Sequence, residues 1–198
     1  MTGEHCGRNG GVDQMKIGVI SDTHGSLTAW QQALAGPLAD VDLIIHTGDV
    51  LYHGARNPLP EGYNPAELAE AINACRIPIL IVKGNCDSEV DQMVLTTPLQ
   101  SPFLITDQPL GRILATHGHY FDNQQSADLA ERYQIEIWIS GHSHVPLLEK
   151  REQTVFLNPG SCSLPKGEEL HRSAAVITEK QVQLIDLDTN LVFKQLDR

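Results

Sequence analysis

Five times in its first 144 residues the chain repeats one local device: a short apolar run closed by a cluster of Asp, His or Asn beside glycine. The runs are Ile17-Gly18-Val19-Ile20, Leu43-Ile44-Ile45-His46, Ile79-Leu80-Ile81-Val82, Ile113-Leu114-Ala115-Thr116 and Ile135-Glu136-Ile137-Trp138-Ile139. The clusters after them are Asp22-Thr23-His24-Gly25, Gly48-Asp49-Val50, Gly84-Asn85-Cys86-Asp87, His117-Gly118-His119 and Gly141-His142-Ser143-His144. Short runs rich in Ile, Val and Leu are the pattern of strands buried on both faces. Helical stretches lie between them, at 26–35 (stopped by Gly36-Pro37), 64–75, 88–95 and 126–132. The second opens with an Asn cap, Pro at the first position and Glu at the third. This alternation predicts an α/β architecture whose polar clusters sit in the loops at the carboxyl ends of strands, where the sites of such folds assemble.

The last third changes character. Strands are expected at 155–157, 174–178, 182–187 and 191–194, with turns at Glu179-Lys180 and Asp188-Thr189-Asn190. The reading is therefore one α/β domain with two sheets over residues 15–198, preceded by a Gly-rich, polar segment, residues 1–14, expected to be a disordered tail.

Charge restricts the partners. Lys and Arg number 14 against 25 Asp and Glu, a formal net charge of −11. This disfavours a basic stripe for long nucleic acid or a basic membrane-binding face. The longest apolar run, residues 77–82, is broken by Pro78 and far too short to span a bilayer. Residues 1–14 contain no apolar leader, and Cys6, Cys75, Cys86 and Cys162 show no paired spacing. Free thiols and a cytoplasmic location are the expectation. Nothing in the pattern speaks against a homo-oligomer.

The spacing inside the clusters carries chemistry. Residues i and i+2 of an extended segment point the same way, so Asp22 and His24 can reach one point, as can His142 and His144. Oxygen and imidazole donors of this kind suit Mn²⁺, Fe, Zn²⁺ or Ni²⁺ better than Ca²⁺. Taken singly, each short motif also fits an ordinary polar turn. Five in this order do not.

In that order the sequence resembles the calcineurin-like metallophosphoesterases, whose blocks run D-x-H, G-D, G-N-(H/C)-(D/E), a strand-end His and G-H-x-H. All five stand between Asp22 and His144. A closer similarity, to the small bacterial phosphodiesterases of that family, rests on Asp49-Val50-Leu51-Tyr52-His53-Gly54, Arg56-Asn57, Leu59-Pro60-Glu61-Gly62-Tyr63, the run from Gly84 to Met93, and Asn158-Pro159-Gly160-Ser161. The resemblance implies a four-layer αββα sandwich of two mainly mixed sheets flanked by helices. It implies two divalent ions, with Mn²⁺ the first expectation. One would be held by Asp22, His24, Asp49 and His144, the other by Asp49, Asn85, His117 and His142. It further implies in-line hydrolysis of a small phosphodiester by a hydroxide bridging the ions, with Asp49, Asn85, Cys86, Asp87 and His117 as the catalytic set. A phosphomonoesterase, a nuclease and a non-catalytic scaffold of the same fold are the alternatives.

One residue departs from the wider family, where His usually follows the Asn and is thought to protonate the leaving group. Here it is Cys86, a poorer proton donor near neutral pH or simply a small space-filler. His53 and His119 lie near ligand positions as substrate contacts or as ordinary loop histidines. Arg56 fits a phosphate clamp or a surface ion pair, and Lys166 is similarly placed. Asn158 to Ser161 shapes a turn beside the site, and His46 reads as a packed core residue. His5 and His171 read as surface, and Cys75, Trp30 and Trp138 as packing.

Overall fold

The computed structural model describes residues 14–198. Residues 1–13, with His5 and Cys6 and nearly all of the expected tail, lie outside the described residues. The elements run β1 (Ile17–Ile20), α1 (Leu27–Ala35), β2 (Leu43–His46), α2 (Pro65–Asn73), β3 (Ile79–Val82), α3 (Glu89–Val94), β4 (Leu99–Gln100), β5 (Phe103–Gln108) and β6 (Gly111–Thr116). They continue with α4 (Asn123–Tyr133), β7 (Ile137–Ile139), β8 (Leu147–Arg151), β9 (Thr154–Asn158), β10 (Ser173–Ile177), β11 (Gln181–Asp186) and β12 (Val192–Asp197).

The strands form two mixed sheets, a seven-stranded one ordered β12-β11-β10-β1-β2-β3-β4 and a five-stranded one ordered β5-β6-β7-β9-β8. Period-two alternation dictates how they stack. Ile17, Val19, Leu43 and Ile45 of the first sheet share one core with Ile113, Ala115, Ile137, Ile139, Val155 and Leu157 of the second. On the opposite face of the first sheet, Ile20 and Ile44 pack against Trp30, Ala33, Leu68 and Ile72 of α1 and α2. On the opposite face of the second, Leu114, Trp138 and Phe156 pack against Ala130 of α4 and Ile135. The expected αββα sandwich is present.

The helix signals act where the sequence puts them. Ser26 accepts the N–H of Ala29, Asn64 that of Glu67, and Ser88 that of Asp91. Helix α4 starts earlier than the apolar pattern indicates, at Asn123, because Asp122 and Gln125 form a reciprocal capping box. Three strands lie outside the sequence expectation: β4, β5 and β8. Each is the outermost strand of its sheet. Edge strands carry charge and proline against edge-to-edge pairing; β8 has only Leu147-Leu148 before Glu149-Lys150-Arg151, β5 only Phe103-Leu104-Ile105 before Thr106-Asp107, and β4 only two residues.

What matters for function is direction. β1, β2 and β3 run parallel to one another, and so do β6 and β7. Their carboxyl ends come together along one margin of the sandwich, where backbone and side-chain bonds join the loops of both sheets.

The C-terminal hairpins, whose first strand β10 pairs with β1, are pinned by ionic contacts, of which one is titratable near neutral pH. His171 Nδ1 lies 2.7 Å from Asp186 Oδ2, and its ring stacks on Phe193 at 4.2 Å between centroids. Hydrogen bonding to Asp186 raises the His171 pKa above its ordinary value. The stabilisation is thus complete below the unfolded-state pKa of about 6.5 and fades as pH rises through the higher folded value. The Asp186 carboxylate is held below its ordinary range: burial pushes it up, but His171, the Thr189 hydroxyl and the N–H groups of Thr189 and Asp188 outweigh that. Its share is lost only in strong acid. His171→Ala is therefore expected to lower Tm near pH 5.5 more than at pH 9, which a pH series of thermal melts on both proteins checks.

Candidate metal centre

The ends of β1, β2 and β7 deliver their side chains through a backbone that L-residues rarely adopt. Asp22, His24, Asp49, His142 and His144 all have positive φ, at 52°, 48°, 56°, 67° and 60°. Such a conformation costs on the order of 1–3 kcal/mol per residue and persists where surroundings over-determine it. The surroundings here are specific. Asp22 N–H donates to Gly48 O at 3.0 Å and His24 N–H to Asp49 O at 2.9 Å, lacing the first two loops together. Ser161 and Ser163 hydroxyls both donate to Asp22 O, at 2.8 and 2.9 Å. Gly141 lies against Ser21, Asp22 and Thr47, so closely that a Cβ there would collide with all three side chains. Only glycine lets the loop after β7 seat on the first sheet.

The donor atoms then face one another. His24 Nδ1–H donates to Tyr52 O at 2.8 Å and His144 Nδ1–H to Leu164 O at 2.6 Å. Both Nε2 atoms are left as lone-pair donors, and they lie 3.1 Å apart. Asp22 Oδ1 stands 3.2 Å from His144 Nε2 and 3.6 Å from His24 Nε2, buried and without a hydrogen-bond partner. The second group repeats the pattern. His117 Nδ1–H donates to Thr47 O at 2.7 Å, across the two sheets. Its Nε2 faces Asn85 Oδ1 at 3.1 Å and Asp49 Oδ2 at 3.4 Å. Asp49 belongs to both groups, since its Oδ2 is also 3.7 Å from His24 Nε2.

Acceptors that converge on acceptors in a buried site require a cation among them. Donor atoms of Asp22, His24 and His144, of His24, Asp49 and Cys86, and of Asp22, Asp49 and His117 lie within 4.8 Å of one another in each trio. The residues therefore fit divalent metal. The titration tendencies express the same demand for positive charge. Burial pulls the His117 imidazolium down, but the hydrogen bond to Asp49 and the charges of Asp22 and Asp49 win and raise it to about 9. Burial pushes the Asp22 carboxyl up, yet His144 and His24 hold it well below the usual carboxylate range.

The other expected residues are placed differently. His142 is exposed at the rim, its ring 5.1 Å from that of His117, and its N–H donates to Asp22 Oδ2 at 3.0 Å. His119 is half-buried beside it, 5.8 Å away between centroids. His53 turns aside, with Nδ1 3.4 Å from the Tyr63 hydroxyl. Arg56 and Cys86 line a cleft of about 660 Å³ that opens on Asp49, Asn85, His142 and His144. Cys86 N–H donates to Asp49 Oδ1 at 2.7 Å, and burial together with the Asp49 charge pushes its thiol up to about 12. Asp87 does not line the cleft. Its carboxylate faces inward and accepts the N–H groups of Asp49 at 2.8 Å, Val50 at 2.7 Å and Gly84 at 2.7 Å. Burial pushes that carboxyl up to about 6 against the opposing pull of these three bonds.

Two supports are not apparent from the sequence. Ser163 is one, since nothing in its local pattern marks it. His46 is the other. It is buried as expected, but it also accepts the Gly48 N–H at Nδ1 (3.1 Å) and contacts the Thr23 hydroxyl through Nε2, bracing the first two loops. Burial lowers its pKa to about 4, so it stays neutral. Its position three residues before Asp49, inside an apolar run, is the available signal. The Asn158–Ser161 turn lies where expected: Asn158 Nδ2 donates to Gly141 O at 2.7 Å.

Comparison with known proteins adds a family. Residues 15–181 match the calcineurin-like phosphoesterase superfamily domain. The chain belongs to that superfamily. It is 42% identical over 154 residues to phosphodiesterase YfcE of Escherichia coli K12, covering 77% of this chain and 82% of the relative. It is 33% identical over 157 residues to a probable metallophosphoesterase of Methanothermobacter thermautotrophicus, covering 77% and 80%. Among solved structures, the E. coli YfcE phosphoesterase superposes with a TM-score of 0.80 at 35% identity, over 92% of this chain and 98% of that one. Vps29 of Entamoeba histolytica, at 18% identity and a TM-score of 0.66 over 93% and 99%, shares the fold. The metallophosphoesterase fold thus accounts for both sheets and for the convergence of their strand ends.

The Asp87 contacts generate a test. Asp87→Asn turns one acceptor oxygen into an NH₂ group that faces backbone N–H. Loss of such support typically costs tenfold or more in metal affinity. Calorimetric titration of chelator-treated protein with Mn²⁺ should show about that weakening, with the far-UV spectrum retained.

Proposed function

We propose that the chain is a divalent-metal-dependent phosphodiesterase acting on a small phosphodiester. The observation that carries this reading is the set of facing acceptors opening on a cleft, with Asp22, His24, Asp49, His117 and His144 buried and Asn85 at the exposed mouth. Two ions sharing Asp49 fit the two donor groups, with His142 closing the second from the rim. Mn²⁺ is the preferred metal of the proposal, ahead of Fe, Zn²⁺ and Ni²⁺, because the donors mix carboxylate and amide oxygen with imidazole. When bound, such ions supply Lewis acidity to phosphoryl oxygens and acidify water at the site.

The chain's own residues do the rest. Tyr52 O and Leu164 O fix the tautomers of His24 and His144, so that no ring rotation is needed when metal enters. Asp87 fixes the backbone of Asp49. His142 and His119 at the rim, with Arg56 on the cleft wall, are placed to meet phosphoryl oxygens. Cys86 keeps its proton and offers only weak acid assistance to the leaving group.

The net charge of −11 supports a small substrate over long nucleic acid. Among the described residues, Cys75, Cys86 and Cys162 are free thiols and no helix is long and apolar enough to cross a membrane. Both facts support the proposed cytoplasmic location.

Two experiments test this. Chelator-stripped protein should not hydrolyse bis-p-nitrophenyl phosphate, and Mn²⁺ should restore turnover. At about 100 times its Kd, the ion stabilises by about 2.7 kcal/mol, a Tm rise of roughly 5–10 °C for a chain of this size. Asp49→Ala should reduce both the turnover and the Tm shift to background, and a shift of wild-type size in that variant contradicts the shared carboxylate. In the second experiment, Cys86→His supplies an acid matched to neutral pH. It should raise turnover of a diester with an alkyl leaving group about tenfold or more relative to bis-p-nitrophenyl phosphate. An unchanged ratio would show that leaving-group protonation is not limited at this position.

A further inference from the structure

The bonds that fix two metal-candidate imidazoles also fix two side chains on the cleft. Tyr52, whose carbonyl holds His24 Nδ1–H, presents an exposed ring there. Leu164, whose carbonyl holds His144 Nδ1–H, is followed two residues later by Lys166, whose N–H donates to His144 O at 3.0 Å. Residues 144 and 164–166 thus clasp each other twice. The Lys166 main chain cannot drift relative to His144.

Lys166 reaches back across the cleft. Its Nζ donates to Asn57 Oδ1 at 3.5 Å, a long contact to a neutral acceptor, and Asn57 is the neighbour of Arg56. Asn57 is itself anchored, with Nδ2 donating to His53 O at 2.9 Å. Among the described residues, neither Lys166 nor Arg56 has a carboxylate within ion-pair distance; Arg76, Lys150 and Lys194 lack one too, but Lys166 and Arg56 are the Lys and Arg that line this cleft. In a chain with 25 acidic residues against 14 basic ones, carboxylates are in surplus. Two cations without an acidic partner on one cleft are therefore available to an incoming anion. The cleft's one lining carboxylate, Asp49, is directed to the metal candidates. A volume of about 660 Å³ has room for more than the scissile group.

We propose that Lys166, with Arg56 beside it, recognises a second phosphoryl group on the substrate, so that the preferred substrate class is a phosphodiester bearing an additional phosphate. The second phosphate displaces the weak Asn57 contact and gains a charge-assisted bond in its place. The inference rests on the phosphodiesterase reading and deepens it.

The test uses the Mn²⁺-loaded protein and two esters with the same scissile bond and leaving group: thymidine 5′-(p-nitrophenyl phosphate) with and without a 3′-phosphate. For the wild type, the 3′-phosphate should raise kcat/KM about tenfold, chiefly through KM. In Lys166→Met the ratio should fall to about one, and in Lys166→Arg several-fold preference should remain. General damage to the site affects both esters and cancels in the ratio. A wild-type ratio of one or below, or a wild-type ratio in Lys166→Met, overturns the proposal. If neither ester is turned over, the phosphodiesterase reading fails on its own account. The same comparison is then made by calorimetry, thymidine 3′,5′-bisphosphate against thymidine 5′-phosphate. Equal affinities, or a preference that survives in Lys166→Met, overturn the second-phosphate site independently of turnover.

Discussion

Five non-glycine residues held in left-handed backbone at strand ends are the constraint on which the rest of the molecule turns. Glycine would adopt φ near 50–60° freely, but Asp22, His24, Asp49, His142 and His144 are required for their side chains. The fold has to supply what their backbones oppose. It does so with main-chain bonds between loops, with Ser161 and Ser163 on Asp22 O, and with the Asp87 carboxylate on three successive-loop amides. None of these supports is itself one of the converging donor atoms. The supports grip backbone while the donors are side-chain atoms, even where one residue, such as Asp22 or Asp49, contributes both.

Much of this was legible in the sequence because buried parallel strands write themselves as apolar runs. The ends of those runs named the converging residues Asp22, His24, Asp49, Asn85, His117 and His144, and the Asn64 cap followed by Pro65 set the start of α2. Three of the four outermost strands, β4, β5 and β8, were not legible. Glu149, Lys150 and Arg151 on β8 and Asp107 on β5 guard those edges against pairing with other chains, and in doing so shorten the apolar pattern by which a strand is recognised. Nor does the sequence distinguish a carboxylate that faces the cleft from one that faces the backbone. Asp49 and Asp87 occupy similar strand-end clusters, yet one turns Oδ2 to His24 and His117 and the other commits both oxygens to N–H groups. That distinction depends on which way a loop turns after β3, and Gly84, pressed against Asp49, decides it.

Charge is organised at two scales. Overall the chain is acidic, which limits non-specific attraction for polyanions. Locally, the two buried carboxylates of the site are matched by imidazoles, and the cleft beyond them carries basic side chains without acidic partners. A substrate meets the local arrangement, because screening removes the distant charges within about 10 Å at 0.1 M salt.

The contacts of His117 with Thr47 O and of the His142 N–H with Asp22 run from one sheet to the other. Between the sheets lies an aliphatic interface, which is non-directional and tolerates sliding. The two polar contacts do not. They act as a rivet at the site's margin of the laminate, the bond from the Arg198 guanidinium to Leu110 O being another tie between the sheets. The crossing of the two sheets is thereby set at the same place where the donors meet, and any repacking of the interior that alters that crossing must also move the imidazoles.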